Sequence, residues 1–222
     1  MTTSTVQQSL LLADAGTTAD LRTFVTRART ADDGGIRLQA SGQVLAAFVA
    51  VMRPRLLGEG TPTILGLRTM ALASSSDLDV TVPLSAVADR LARMDGDDLE
   101  LQIPPMTLNE SWAGISAPRG GWERLQGLEA APLIQAAKDG VREIGQIIPV
   151  NPGALIVNNA RAAVWGRPLV GVAGDLPAGA AFAAYALGFL APEETAVLFR
   201  SQRWLRLSTG RGHILVKPAA LL

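Results

Sequence analysis

Residues 175–191, Asp-Leu-Pro-Ala-Gly-Ala-Ala-Phe-Ala-Ala-Tyr-Ala-Leu-Gly-Phe-Leu-Ala, limit the fold more than any other stretch. After Asp175 the run carries no charge, and its only polar side-chain atom is the Tyr185 hydroxyl. Asp175 is placed to cap a helix, with Pro177 early in the first turn, where no donor is lost. A helix without a wet side belongs in a protein core or a membrane. This one is too short and too rich in Ala and Gly to span a bilayer, which needs about 20 strongly apolar residues. The expectation is a central buried helix whose small residues let neighbours approach closely.

Its surroundings are those of a globular protein. Hydrophobic residues make up 48% of the chain and charged residues 18%, enough to exclude a disordered chain. With 222 residues, folding buries roughly 70% of the unfolded surface. The formal net charge is zero, so no global field favours nucleic acid or acidic lipid. Nucleic acid and membrane are therefore not expected partners. Cysteine is absent, which removes disulfides, thiolate metal sites and Cys nucleophiles and fits a reducing compartment. The first eight residues hold no Lys or Arg, and the apolar run at 10–13 is too short for a secretory segment, so a cytoplasmic location is expected. Only Lys138 and Lys217 are lysine; coding bias explains the arginine excess better than a surface built for bidentate contacts.

Periodicity supplies the elements. Thr18 can cap a helix over 19–29, with Leu21, Phe24, Val25 and Ala28 on one stripe. Strands follow at 36–40 and 44–52, and Ser41-Gly42 between them predicts a hairpin. A third strand covers 64–73. Residues 78–82 alternate as a strand, Leu84, Val87, Leu91 and Met94 set a helical stripe, and 99–103 alternate again. Residues 104–128 lack any period and contain three prolines and four glycines, a long loop of the kind that carries function or joins subdomains. Helices are predicted at 130–148 and from Asn151-Pro152 to Trp165-Gly166, and short strands at 195–200, 203–207 and 213–217. The fold class is α+β, with largely antiparallel sheets in two meanders around the Ala-rich helix. Residues 1–17 are expected to be flexible. Residues 18–218 form one globular domain, divisible into subdomains 18–104 and 122–218.

Chemistry-bearing patterns are sparse. His213 is the single histidine, so any Ser-His-Asp triad must use it and no two-histidine metal site exists. Turn chemistry explains Thr209-Gly210-Arg211-Gly212 and Pro118-Arg119-Gly120-Gly121, neither of which has the surroundings of a phosphate loop. The carboxylates of Asp95-Gly96-Asp97-Asp98-Leu99-Glu100 fit a solvated turn, since the EF-hand spacing fails. No metal, no cofactor and no catalytic residue is assigned. Charge distribution says more: residues 77–100 hold seven acids against Arg90 and Arg93, whereas 200–217 hold Arg200, Arg203, Arg206, Arg211 and Lys217 with no acid. Alternation puts Trp204, Arg206 and Ser208 on one face of a strand and Leu205 and Leu207 on the other, so Trp204 and Arg206 are expected to face outward. Trp and Arg are the types that anchor interfaces.

The runs Gly66-Leu67-Arg68-Thr69, Pro118-Arg119-Gly120-Gly121-Trp122-Glu123, Ala178-Gly179-Ala180-Ala181-Phe182 and Arg203-Trp204-Leu205-Arg206-Leu207-Ser208-Thr209 resemble those of an uncharacterised family of high-GC, actinobacterial-type bacteria. The resemblance implies a bacterial cytoplasm and no activity. The order of meander, helix and returning strand is also similar to one subdomain of a sliding clamp. The leading expectation is a non-catalytic protein acting by self-association or through a protein partner. Its surface is built from Arg200, Arg203, Trp204, Arg206 and Arg211. The alternative is a small-ligand protein or enzyme with a pocket under the 104–128 loop, contacted by Trp112, Arg119 and His213.

Overall fold

The computed structural model describes residues 8–55, 59–149 and 151–219. They form an α+β fold in which every strand pairing with a stated register is antiparallel. The chain divides into two compact units: 1–49 with 68–114, and 50–67 with 115–222.

Unit 1 opens with strand β1 (Ser9–Leu11) and helix α1 (Ala15–Ala31). The expectation of a flexible segment over residues 1–17 is corrected here for 9–17; residues 1–7 lie outside the described part. Leu10 and Leu12 are buried, and β1 pairs with strand β4 (Glu100–Gln102), so apolar burial and a ladder hold this end down. The cap of α1 is Asp14, not Thr18. The Asp14 carboxylate accepts from the Thr17 amide at 2.7 Å, while Thr18 is buried and its hydroxyl donates to the Asp14 carbonyl. Helix α1 packs its Leu21, Phe24, Val25 and Ala28 stripe against helix α2 (Leu84–Arg93), which buries Leu84, Val87 and Leu91.

Strands β2 (Gly35–Met52) and β3 (Thr63–Pro83) each run unbroken, and the chain passes from one unit to the other within them. The hairpin predicted at Ser41-Gly42 does not form. A two-residue turn of type I′ needs positive φ at both central residues and type II′ needs it at the first. Here Gly42 has φ 58° and Ser41 is not among the positive-φ residues, so the backbone kinks at Gly42 and continues.

Unit 2 holds Ala50–Met52 of β2 and Thr63–Leu67 of β3 with strands β5 (Glu123–Glu129), β6 (Thr195–Ser201), β7 (Trp204–Thr209) and β8 (Gly212–Lys217), and the strand order is β2-β3-β8-β7-β6-β5. Helices α3 (Ala130–Ile147), α4 (Ala154–Trp165) and α5 (Ala178–Ala186) pack on one another, and α5 also contacts β8. Helix α5 is the apolar run of the sequence, with Gly179, Ala180, Ala181, Ala183 and Ala184 buried. It is shorter than expected, and Asp175 does not cap it. Asp175 sits at φ 54° in a 3-10 turn, after which the Ala178 amide donates to the Arg167 carbonyl, holding Pro177 extended just ahead of the helix. The far end closes on Gly188 at φ 72°: its amide donates to the Tyr185 carbonyl, and the Phe189 amide donates to the Ala184 carbonyl.

Small residues set the approach distances in this layer. The Trp165 ring stacks on Phe182 with centroids 4.5 Å apart and lies so close over Gly140 that a Cβ there would overlap it. A Cβ on Gly179 would come within 2.7 Å of Ile64 Cδ1.

Candidate interaction surface

The pairing register defines the face of the unit 2 sheet that does not carry Leu198, Leu207 and Ile214. Residues directly opposite in an antiparallel ladder share a face. One row across β6, β7, β8 and β3 is Val197, Ser208, His213 and Leu67; the next is Phe199, Arg206, Leu215 and Leu65. Ser201 and Trp204 form a third pair on the same face.

Within this face the expected anchors meet different fates. Trp204 is buried, 6% exposed, and the expectation of an outward indole is corrected. A large ring at the start of β7, with Leu205 behind it and Ser201 opposite, gains more from losing water than from display. Arg206 does lie on the outward face but is half-buried. Its Cζ is 4.5 Å from the centroid of Trp122 and 4.7 Å from that of Phe199, so the guanidinium lies over both rings. Trp122 is held in place by its indole N–H, which donates to the Pro118 carbonyl at 3.0 Å. Burial pulls the Arg206 guanidinium below its ordinary pKa. His213 Nδ1 lies 2.9 Å from the Ser208 hydroxyl across the ladder, a pairing that engages both side chains within the sheet face.

The other arginines do not gather around Arg206. Arg200 alternates to the opposite face, where its Nη2 comes within 2.9 Å of where a Cβ on Gly174 would stand. Arg203 is exposed in the β6–β7 turn, beside Gln202 at φ 52°. Arg211, in the β7–β8 turn, is exposed and bonds Glu194 Oε1 through Nε at 3.2 Å and Nη2 at 3.1 Å.

For the alternative site, Arg119 is exposed in unit 2, whereas Trp112 is buried in unit 1, 2% exposed. Trp112 is packed into the core of unit 1, where an indole of that size in an aperiodic loop anchors the loop by burial. Sequence reasoning missed Trp122 and Phe199 as the walls around Arg206. The spacing of Phe199 and Arg206 around the Gln202-Arg203 turn could have shown that they lie opposite one another.

Among the described residues no helix is long and apolar enough to cross a membrane, and no cluster of three or more His, Asp or Glu side chains could hold a metal ion.

Two antiparallel-sheet units with helices form the class of fold to which the comparisons point. Residues 5–114 match a family described as a domain of unknown function, DUF8010, and residues 117–221 match a second, DUF8185. No curated protein matches the chain in sequence. Among solved structures, the chain is similar to a DNA polymerase sliding clamp from Pseudomonas aeruginosa, at 10% identity and a TM-score of 0.57, covering 97% of this chain and 66% of that one. It is also similar to a putative DNA polymerase III beta subunit from Eubacterium rectale, at 9% identity and a TM-score of 0.54, covering 96% and 66%. A sliding clamp from Bartonella birtlesii bound to griselimycin gives 11% identity and a TM-score of 0.53, covering 97% and 66%. The chain thus spans 66% of the length of these clamp chains, and the likeness establishes the fold. The expectation that excluded nucleic acid finds no support in a fold shared with DNA polymerase sliding clamps.

Proposed function

We propose that this protein is a non-catalytic scaffold of sliding-clamp type that works by self-association and by holding a protein partner. The observation that carries this reading is the extent of the fold likeness, which runs through both units over 97% of the chain. Two features of unit 2 support it. Among the described residues strand β5 is last in its sheet and pairs with β6 alone, so its other rim can extend the sheet into a second copy. Helices α3 and α4 expose Val141, Ile147, Leu155 and Ile156, a quantity of apolar surface that favours contact with another protein. A bacterial cytoplasm is part of the same proposal and rests on the sequence resemblance.

The test is the mass of the full chain by light scattering across a hundredfold concentration range, together with cross-linking through β5. A discrete multimer linked through β5 supports the reading. A monomer at every concentration overturns the self-association half. DNA enters as a second reading through the clamp fold: retention of the protein on closed circular DNA and its loss from the linearised form would mark an encircling complex.

A further inference from the structure

Arg206 is a half-buried cation set against aromatic rings. Its guanidinium lies over the rings of both Trp122 and Phe199, and its N–H rim is where an acceptor can bond. On that rim Nε is sealed and has no hydrogen-bond partner. Among the described residues no carboxylate forms an ion pair with Arg206. Neither the row that contains it, Phe199-Arg206-Leu215-Leu65, nor the neighbouring row, Val197-Ser208-His213-Leu67, holds an Asp or Glu. Partial desolvation of a charge without a counter-charge is unfavourable, and an arriving anion relieves it.

The neighbourhood specifies more than charge. Val197, Ser208, His213 and Leu67 are all half-buried, so an accessible strip crosses four strands with apolar ends and a polar middle. Arg206 and Phe199 border it. The cations on neighbouring elements are Arg124, opposite Phe199 on β5, Lys217 at the end of β8, and the exposed Arg119 and Arg203; Arg200 on β6 alternates to the opposite face, Arg211 is bonded to Glu194, and Arg68 on β3 is bonded to Asp20. A nucleic-acid backbone would need a track of cations to release several counterions. Here a single flat guanidinium offers its two Nη groups in one plane, a fork that matches the two oxygens of one carboxylate.

We propose that this strip docks an acidic segment of a protein partner, an Asp or Glu carboxylate lying end-on against the Arg206 rim and an adjacent apolar side chain against Val197 or Leu67. The inference rests on the reading that the protein works through a partner and names that partner's chemistry.

The experiment uses the full chain and fluorescein-labelled nine-residue peptides with central Asp-Leu or Glu-Phe, matched to peptides with Asn-Leu or Gln-Phe, read by fluorescence polarisation. The acidic peptides are expected to bind about tenfold more tightly than their amide counterparts, the scale of one charge-assisted pair. Arg206→Met should erase that preference, and Arg206→Lys, which keeps the charge but loses the fork, should reduce it several-fold with an unchanged melting temperature. Should Arg206→Met fail to fold, Arg206→Lys alone decides. Equal binding of acid and amide peptides overturns the proposal, as does a preference that survives Arg206→Met. Heparin retention that depends on Arg206 without any peptide preference also overturns it, assigning the strip to polyanions. The mass by light scattering separates this inference from the functional reading: a lost peptide preference with an unchanged multimer leaves self-association standing, and a monomer with intact preference leaves the docking strip standing.

Discussion

The two units are fastened by different means. Unit 1 relies on arginines that reach backbone and carboxylate. Arg22 donates to the Leu91 carbonyl at 2.9 Å through Nη2 and to the Met94 carbonyl at 3.3 Å, tying α1 to the end of α2. Arg37 grips both oxygens of Asp79, at 2.7 and 2.6 Å, and donates to the Ala113 carbonyl at 2.7 Å. Arg68 bonds Asp20 at 2.7 Å. Unit 2 has arginine pairs of its own, Arg167 with Glu143 and Arg211 with Glu194, and adds to them seats fitted by shape. Gly140 seats Trp165, Gly179 admits Ile64, and a Cβ on Gly212 would stand 2.6 Å from Phe189 Cζ. Unit 2 also leaves more large apolar side chains exposed on its helices, while Arg206, the cation set most closely over aromatic rings, has no ion pair among the described residues. A polar fastening tolerates small displacements and responds to pH, whereas a shape-fitted seat tolerates neither an added methyl nor a lost ring. The difference marks unit 2 as the place where sequence change is least forgiven inside and where the surface is best equipped for contact.

Four experiments sharpen or break this contrast. The largest effect is expected from Trp165→Ala, which removes the ring stacked on Phe182 and should destabilise the protein by about 4 kcal/mol. Denaturant unfolding measures the loss, and hydrogen exchange should show it concentrated in α3, α5 and β8. Gly140→Ala comes next at about 3 kcal/mol, because the added methyl must displace the indole. A loss well below 1 kcal/mol would mean that the shape-fitted seat yields, and the contrast would fail.

A smaller effect is expected in unit 1 from acid. The hydrogen bonds from Arg37 hold the Asp79 carboxyl below its ordinary range, against a counteracting cost of burial. A depressed folded-state pKa gives stability that is complete above the unfolded value and is lost as pH falls through the folded one. Asp79 is 46% exposed on its side chain, so solvent screening holds the contribution to about 0.5 kcal/mol. Asp79→Asn should therefore flatten the stability profile below about pH 5, which thermal melts from pH 6 to 3 would read. The smallest effect on stability is expected from Leu155→Lys with Ile156→Lys on the exposed face of α4, within about 0.5 kcal/mol of zero. The same pair should lower the mass measured by light scattering; an unchanged multimer would remove α4 from the contact.

How much of this was legible in the sequence depends on which physical signal each residue carries. Helices α2 and α3 and the strands after residue 195 announce themselves, because the apolar stripes of Leu84, Val87 and Leu91 or of Leu133 and Ala137 have the right period. The continuity of β2 across Ser41-Gly42 is not legible in the sequence, because the dipeptide is compatible with a turn and positive φ at Gly42 alone is a property of the backbone. Asp175 looks like a cap but is held left-handed by bonds between the segments around Pro168 and Pro177, a long-range constraint absent from local pattern. Alternation placed Trp204 and Arg206 on one face correctly. It could not tell that the indole is covered and that Arg206 lies over Trp122 and Phe199, since covering depends on where the loop that carries Trp122 comes to rest.

The boundary between the two family matches falls near residue 115, yet Thr63–Leu67, from the other side of that boundary, form the ladder with His213–Lys217. Anyone expressing residues 117–221 as a separate piece removes that neighbour and leaves β8 as a bare, apolar rim, ready to adhere to any strand it meets. A soluble second half needs residues 50–67 grafted back, or supplied in trans as a peptide.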